Sequence, residues 1–401
     1  MDADNAALKP HNAGINLHPG STDDGWPEPP PVVLADGTWV QLLKDGEALH
    51  AAYTAIELAQ KLICLEVYIF GDDPTAHAFA DLLCRRAAEG VRVFVIYDSV
   101  GSLHTDRAIF ARLRRCGVRV QEFHPIRPWE LRFSWRPFNR DHRKLLVVDD
   151  QIAWLGGMNI ADEYGGSWIS GASRTARDPW RDTGVGLRGP AAARLLQAFI
   201  KTWRYLNHGG RIVKCLHVGD GESLDVLATV PCWKNPVRAR LKQMLGDARQ
   251  SVSLTMAYFA PDDELVEALC RAARSGRNVR LMLPAHSDLP LMVAAARSFY
   301  TTLLEAGARV YERQHAILHA KTLVIDSSVS VIGSTNLDYR SIEYNCELSV
   351  VIRNAAFGRQ MELLFDNDVR YAREITLDSW RRRPVSDRIR QWAVSRARYL
   401  L

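Results

Sequence analysis

The 401-residue sequence predicts an α/β protein made of two duplicated lobes, each a sheet flanked by helices. The first observation is a motif that occurs twice, as DHRKLLVVDDQIAWLGGMN at residues 141–159 and as LHAKTLVIDSSVSVIGSTN at residues 318–336. The second is that the same alternation of helical and strand-like patterns precedes each copy. Duplicated lobes can face each other across a pseudo-two-fold axis, so we expect the two motifs to share one composite active site.

Each half contains a helix, a buried strand, a second helix and a second buried strand in that order. The predicted segments are 46–62, 63–70, 75–89 and 91–97 in the first half, and 237–249, 252–259, 263–274 and 279–283 in the second. Even short details recur, because Phe70 precedes two aspartates just as Phe259 does.

The pattern divides the chain into five parts. Residues 1–38 are polar and rich in Pro, Gly, Asn and Asp, which predicts a disordered tail. We assign residues 39–206 to the first lobe, 207–225 to a glycine-rich linker and 226–375 to the second lobe. Residues 376–401 form a basic amphipathic C-terminal segment.

Composition excludes several classes of protein. The seven cysteines are scattered without a C-x-x-C pair, which predicts a reducing compartment and no structural metal. We find no signal sequence and no apolar run of the roughly 18 to 20 residues that span a bilayer. We therefore expect a soluble or peripheral protein.

The motif spacing predicts a hairpin that groups reactive side chains. His142 and Lys144 are two residues apart and share one face of a strand. A turn centred on residues 150–151 would place Asn159 opposite His142, and Gly157 opposite Lys144.

The second copy repeats this construction around a turn at residues 327–328. It would place Asn336 opposite His319, and Ser334 opposite Lys321. Each copy then offers an imidazole, an ammonium group and a carboxamide near one point, which suits a nucleophile or proton carrier beside donors to an oxyanion.

Two further residues of the motif have a different expected role. Asp149 and Asp326 lie at an odd offset from their histidines, so we expect them to fix the turn or balance a cation rather than react. A single histidine before an apolar strand is more often structural than catalytic, and a repeat can keep its shape after losing its chemistry. Neither copy is degraded at His, Lys, Asp or Asn, which favours the catalytic interpretation.

A catalytic histidine needs its second ring nitrogen held by a partner. Glu347, shortly after the second hairpin, and Asp182, before a strand-like segment of the first half, are the candidates. The alternative is that either is a solvated surface acid.

Two basic segments carry open interpretations. Residues 123–144 interleave arginines with aromatic residues, which suits phosphate head groups at an interface, stacking on single-stranded nucleic acid, or a long packed loop. The C-terminal segment is either a helix on an anionic membrane surface or a terminal helix packed on the body, and we favour packing.

The doubled H-x-K-x-x-x-x-D with G-x-x-N resembles the signature of the phospholipase D superfamily. The passages RDHRKLLVVDDQIAWLGGMNIADEY, DPWRDTGVGLRGPA, LHAKTLVIDSSVSVIGSTNLDYRSIEYNCEL and SWRRRP are similar to bacterial cardiolipin synthases of the shorter B type. The resemblance covers roughly residues 39–401. One departure is Gly157, where the second copy has Ser334, so the first half lacks one hydroxyl near the phosphate.

The resemblance implies two phospholipase D-like lobes and metal-independent phosphatidyl transfer through a phosphohistidine. It implies His142 as nucleophile and His319 as general acid and base, although the residues alone leave their order open. Lys144, Lys321, Asn159 and Asn336 would hold the phosphoryl oxygens. The expected partners are phosphatidylglycerol and an anionic membrane surface, with no nucleic acid; the residues leave the oligomeric state open. The resemblance also implies a peripheral protein on the cytoplasmic side of the cell membrane that needs no cofactor.

Three rivals share these features. One is a hydrolytic phospholipase D or a synthase that uses another alcohol. The second is a superfamily nuclease, although compact nucleases of this kind carry one motif per chain. The third is a lipid-binding scaffold without catalysis.

Overall fold

The computed structural model describes residues 26–126, 139–165, 180–208, 221–229 and 236–396. Most of the predicted tail, residues 127–138 of the basic aromatic loop and residues 209–220 of the linker lie outside the described residues.

The first lobe contains nine strands and five helices among the described residues. Its strands are β1 (Val32–Val33), β2 (Trp39–Lys44), β3 (Leu62–Val67), β4 (Arg92–Asp98), β5 (Arg119–Phe123), β6 (Leu145–Val148), β7 (Ile152–Gly156), β8 (Trp180–Arg181) and β9 (Thr183–Arg188). Its helices are α1 (Gly46–Leu58), α2 (Pro74–Ala88), α3 (Arg107–Arg115), α4 (Asp162–Gly165) and α5 (Pro190–Asn207).

The second lobe continues the series. Its strands are β10 (Leu224–Ala228), β11 (Ser251–Met256), β12 (Phe259–Ala260), β13 (Asn278–Pro284), β14 (Arg309–Arg313), β15 (Ile317–Leu318), β16 (Lys321–Ile325), β17 (Val329–Gly333), β18 (Leu337–Asp338), β19 (Leu348–Arg353) and β20 (Ala372–Ile375). Its helices are α6 (Pro236–Asp247), α7 (Asp263–Arg274), α8 (Pro290–Ser298), α9 (Tyr300–Glu305), α10 (Tyr339–Glu343), α11 (Ala355–Val369), α12 (Leu377–Arg381) and α13 (Val385–Arg396).

The two large sheets share one topology, which confirms the predicted duplicated α/β fold. Their strand orders are β1-β2-β9-β7-β6-β3-β4-β5 and β10-β19-β17-β16-β11-β13-β14-β20. The run from β9 to β5 corresponds strand by strand to the run from β19 to β14. The repeated aspartates after Phe70 and Phe259 are helix caps, because Asp73 accepts the N–H of Ala76 in α2 and Asp262 accepts the N–H of Leu265 in α7.

The hairpin register is one residue away from our prediction. Val148 pairs with Ile152, which places Lys144 level with Gly156 rather than Gly157. In the second copy Thr322 pairs with Ile332, so Lys321 lies level with Gly333 and not with Ser334.

The turn aspartates explain this shift. Asp149 and Asp150 both adopt positive φ, and Gln151 donates its N–H to the carbonyl of Val148. This is a type I′ turn followed by one extra residue, so the turn lies one position earlier than we predicted. The Asp149 carboxylate accepts the backbone N–H groups of residues 60–62, each at 2.7 Å.

The same contact corrects the end of the first helix. We predicted a helix to residue 62, but α1 ends at Leu58 because the following amides bind Asp149 rather than helix carbonyls. Asp326 repeats the arrangement with the N–H groups of residues 249–251.

An apolar core joins the lobes. One face of β6, β7 and β9 packs with α5, and this layer meets β10, β17, β19 and α11 of the second lobe in a single cluster. A second cluster fills the outer side of the first lobe, and a third fills the outer side of the second lobe. The sheets therefore pack face to face, and neither lobe buries all of its apolar surface alone.

Several predicted boundaries differ from the observed elements. Val32 and Val33 pair with the strand after them, so the segment just before residue 39 is ordered rather than part of a disordered tail. Leu224 and Asp225 already belong to a strand that pairs with β19, so the predicted linker extends too far. The C-terminal helix α13 packs on α8. No described helix is long and apolar enough to cross a membrane.

The Asp149 contact predicts an effect on stability. Replacing Asp149 with Ala removes the acceptor for three backbone donors and should lower the free energy of unfolding by about 2 kcal/mol. The matched control is Asp150→Ala, which also changes an aspartate at positive φ but holds none of these three amides. Urea unfolding of both variants measures the difference, and equal losses would contradict the role of the carboxylate.

Candidate active site

Both motifs converge on one buried site between the lobes. His142 and Lys144 stand just before β6, and His319 and Lys321 stand at the start of β16. All four side chains are buried. His142 contacts the backbone of Ser334 in the second motif, so the two motifs meet at this site.

His142 is held by the opposite lobe. Its Nδ1 lies 3.1 Å from Oε1 of Glu347 and 3.1 Å from the carbonyl oxygen of Ser334. Both partners are acceptors, so Nδ1 carries the proton and Nε2 keeps the lone pair. The backbone N–H of His142 donates to the carbonyl of Cys346, which also belongs to the second lobe.

His319 repeats this arrangement in the other direction. Its Nδ1 lies 2.7 Å from Oδ2 of Asp182, and its backbone N–H donates to the carbonyl of Arg181. Both partners come from the first lobe. Strand β15 pairs with β8 just beside these contacts, which fixes the relative position of the two lobes.

Burial and neighbouring positive charges lower the pKa values of the two histidines and the two lysines. Burial and the neighbouring Lys144 lower the pKa of His142 to about 4. Burial and both lysines also lower the pKa of His319. Burial and Lys321 lower the pKa of Lys144 to about 7, and burial lowers the pKa of Lys321 to about 8. The site therefore disfavours positive charge and would be stabilised by an anion.

The two carboxylates behave differently. Burial raises the pKa of Asp182 to about 6, although Lys321 and the Thr183 N–H oppose this. Burial also acts to raise the pKa of Glu347, but His142 and Lys144 outweigh it and hold that pKa below its usual value. The acid that holds His142 is thus ionised more firmly than the acid that holds His319.

The carboxamides are placed unequally. Asn159 accepts the N–H of Ile69 and donates its amide N–H to the hydroxyl of Tyr164. Asn336 accepts the N–H of Tyr258 at 3.4 Å. Each carboxamide oxygen therefore binds the chain beyond the central strand of its own lobe, and only the nitrogen side remains for an oxyanion.

Gly157 and Ser334 lie against the two carboxylates. A Cβ at Gly157 would lie 2.3 Å from Oδ1 of Asp182, so glycine makes room for that acid. The Ser334 hydroxyl donates to Glu347, so it holds the acid that orients His142. A role of both residues beside the phosphate stays a prediction.

Aromatic residues that the sequence analysis missed surround the histidines. The Tyr68 ring centroid is 5.2 Å from that of His142, and the Tyr258 centroid is 6.5 Å from that of His319. Tyr164 and Trp180 add rings at 5.4 Å and 4.9 Å from His319. A signal was present, because both tyrosines follow the equivalent central strand of their lobes.

The motif aspartates lie at the far end of the hairpins. Asp149 and Asp326 bind backbone amides at the turns, and neither forms a contact with a histidine of the site. Among the described residues, no three His, Cys, Asp or Glu side chains are grouped to hold a metal ion. The positive groups available to an oxyanion are Lys144 and Lys321.

A family model described as "Cardiolipin synthase, PLD-like domain" matches residues 53–164 and 241–369, so it covers both lobes. The chain belongs to this phospholipase D-like family. Cardiolipin synthase A of Pseudomonas entomophila (strain L48) is 36% identical over 346 residues, which cover 85% of this chain and 71% of the relative. The cardiolipin synthase of Geobacillus kaustophilus (strain HTA426) is 34% identical over 375 residues, covering 91% and 72%.

Solved structures support the family fold. The crystal structure of phosphatidylserine synthase from Haemophilus influenzae Rd KW20 matches with a TM-score of 0.69 at 14% identity, covering 93% of this chain and 97% of that one. Polyphosphate kinase from Porphyromonas gingivalis matches with a TM-score of 0.58 at 15% identity, covering 89% and 52%. The matched relatives include proteins named cardiolipin synthase A, so the B subtype stays a prediction.

The lysine pKa values predict how anion binding depends on pH. Sulfate keeps its charge across the neutral range, so titration calorimetry with sulfate reports the protein groups alone. Because the pKa of Lys144 is about 7, affinity should fall as pH rises above 7, approaching tenfold per pH unit. In Lys144→Met the fall should begin nearer pH 8, the value for Lys321. Constant affinity from pH 6 to 9 would contradict this assignment.

Proposed function

We propose that the protein is a cardiolipin synthase. It transfers the phosphatidyl group of one phosphatidylglycerol to the terminal hydroxyl of a second and releases glycerol. The observation that carries the proposal is the pair of histidines, each held by a carboxylate of the other lobe, beside two buried lysines. The names of the relatives and family model supply the substrate class.

The first step uses His142 as the nucleophile. Its Nε2 lone pair forms a bond to phosphorus, and the bond from phosphorus to the glycerol oxygen breaks. His319 donates a proton to that oxygen, so glycerol leaves as a neutral alcohol. The product is a phosphatidyl group on His142, with its positive charge balanced by Glu347.

The second step transfers the phosphatidyl group from His142 to the acceptor hydroxyl. The hydroxyl of the second phosphatidylglycerol gives its proton to His319 and attacks phosphorus, and the bond to His142 breaks. Lys144 and Lys321 stabilise the charge on the phosphoryl oxygens in both steps, and no metal is required for that purpose.

The substrate itself would supply the charge balance for this chemistry. The low pKa of His319 results from burial and from the two lysines. A bound phosphodiester anion opposes the lysine charge, so protonation of His319 accompanies substrate binding. The pKa of Glu347 is lowered, whereas that of Asp182 is raised. This difference supports the assignment, because the ionised Glu347 balances the positive charge that His142 gains on phosphorylation.

Product analysis tests the reaction. Purified protein incubated with phosphatidylglycerol vesicles in EDTA should form cardiolipin and glycerol in equal amounts, and thin-layer chromatography with a glycerol assay measures both. Replacing either histidine with Ala should lower the rate by at least about 10² to 10⁴-fold. Phosphatidic acid as the main product would make the protein a hydrolase, and exchange with added ethanol alone would indicate another acceptor.

A trapped intermediate tests the order of the histidines. In His319→Ala the second step lacks its base, so mass spectrometry should detect a phosphatidyl adduct on His142. His142→Ala is the matched variant and should carry no adduct. An adduct on His319 in that variant would reverse the assignment, and retained lipid binding without any adduct in either variant would contradict the covalent mechanism.

A further inference from the structure

Exposed leucines occur on equivalent loops of the two lobes. Leu103 is 52% exposed and lies between β4 and α3. Leu289 and Leu291 are 50% and 55% exposed and lie where β13 leads into α8. β4 and β13 occupy the same position in their sheets, so the duplicated fold presents apolar side chains twice at one place.

Both loops border the active site. In the first lobe, Ser102 accepts the N–H of Phe70, and Gly101 packs so closely on the Tyr68 carbonyl that a Cβ would lie 2.2 Å from it. In the second lobe, the Tyr258 hydroxyl donates to Asp288, directly before Leu289. Tyr68 and Tyr258 are the rings beside His142 and His319, so each leucine loop forms one wall of the opening.

The pseudo-symmetry fixes how these loops face a partner. The carboxyl ends of β3 and β4, like those of β11 and β13, point toward the shared site. An axis that relates the lobes and passes through that site brings both loops to the same side and to equal height. Leucines at equal height on both sides of the site fit a flat partner with an apolar interior just below its surface, and a lipid bilayer is such a partner.

A basic helix adjoins the second loop. α13 packs on α8, the helix that begins directly after Leu289. Its Arg388 and Arg390 are exposed, and Asp387 is the single acid within the helix. Ile389 and Trp392 on the same helix are each 62% exposed. This charge complements anionic phospholipid rather than a neutral surface.

We propose that Leu103, Leu289 and Leu291 form a paired docking rim, flanked by α13, that seats the opening of the active site on an anionic bilayer. The inference rests on the proposed function, because a phosphodiester head group would then enter the site directly from the lipid surface. Both loops already contact the tyrosines that lie beside the histidines.

Vesicle sedimentation tests the rim. The variants are Leu103→Ser, Leu289→Ser and the double variant, measured with vesicles of equal parts phosphatidylcholine and phosphatidylglycerol. Each serine should weaken partitioning roughly tenfold, as expected for a leucine leaving an apolar environment. The matched control is Leu58→Ser, because Leu58 is also 50% exposed but precedes the opposite end of β3. It should stay within about twofold of the parent protein.

Further arms separate the possible outcomes. Sulfate affinity equal to that of the parent shows that a variant keeps its folded site. Arg388→Gln with Arg390→Gln should weaken binding to the mixed vesicles by about fivefold per arginine and leave binding to pure phosphatidylcholine unchanged. Unchanged partitioning of the double leucine variant, or an equal loss in Leu58→Ser, would overturn the rim. Leucine-dependent binding by a parent protein that forms no cardiolipin would uphold the rim and sink the proposed function.

Discussion

The site depends on an exchange of carboxylates between the lobes. Glu347 of the second lobe holds the histidine of the first, and Asp182 of the first lobe holds the histidine of the second. A single lobe would therefore carry a histidine with no acid to fix its proton on Nδ1. The shared apolar core also requires both lobes, because it is formed by residues of each. The buried Arg181 likewise needs the second lobe, whose Asp368 binds it through two hydrogen bonds.

The two half-sites differ in the residues that surround their histidines. Identical half-sites would give identical pKa values until a substrate broke the symmetry, whereas here the surroundings of the two histidines already differ. Gly157 leaves space for Asp182, whereas Ser334 donates its hydroxyl to Glu347 and helps keep that acid ionised. Tyr164 and Trp180 also crowd His319, while Tyr68 packs on His142. Small changes in the residues around a common frame thus separate two roles.

Local patterns predicted the elements well, and long-range contacts set what the patterns missed. The repeated alternation of helix and strand predicted the duplicated lobes, because burial on both faces leaves a clear apolar signal. The hairpin register was wrong by one residue, since it depends on Asp149 binding amides about 90 residues earlier in the chain, a contact invisible to local spacing. Asp182 and Glu347 were identified as acids, yet nothing in their spacing revealed that each serves the opposite lobe.

The missed tyrosines illustrate a signal that was available but weak. Tyr68 and Tyr258 each continue a buried strand, and an aromatic residue there is ordinarily core. Their positions in the repeat differ by one residue, because Asn336 binds the N–H of Tyr258 where Asn159 binds that of Ile69, so comparison of the repeats marks only the shared strand end. Comparison of the repeats places Leu103 and Leu289 at the same position, shortly after β4 and β13. This recurrence distinguishes them from the other exposed leucines and supports the proposed rim.

Burial gives the site its selectivity for anions. Burial disfavours the charged form of each lysine and histidine, and the lysine charges add to this effect, so the pKa values of these groups fall. A phosphodiester reverses each of these effects at once. It restores charge to the lysines that hold it and raises the proton affinity of His319, the group assigned to protonate the leaving alcohol. A neutral molecule of the same shape would leave the lysines partly discharged and that histidine without a proton. Binding of the phosphodiester and protonation of His319 are thus coupled, because four basic groups share a buried cleft between the two lobes.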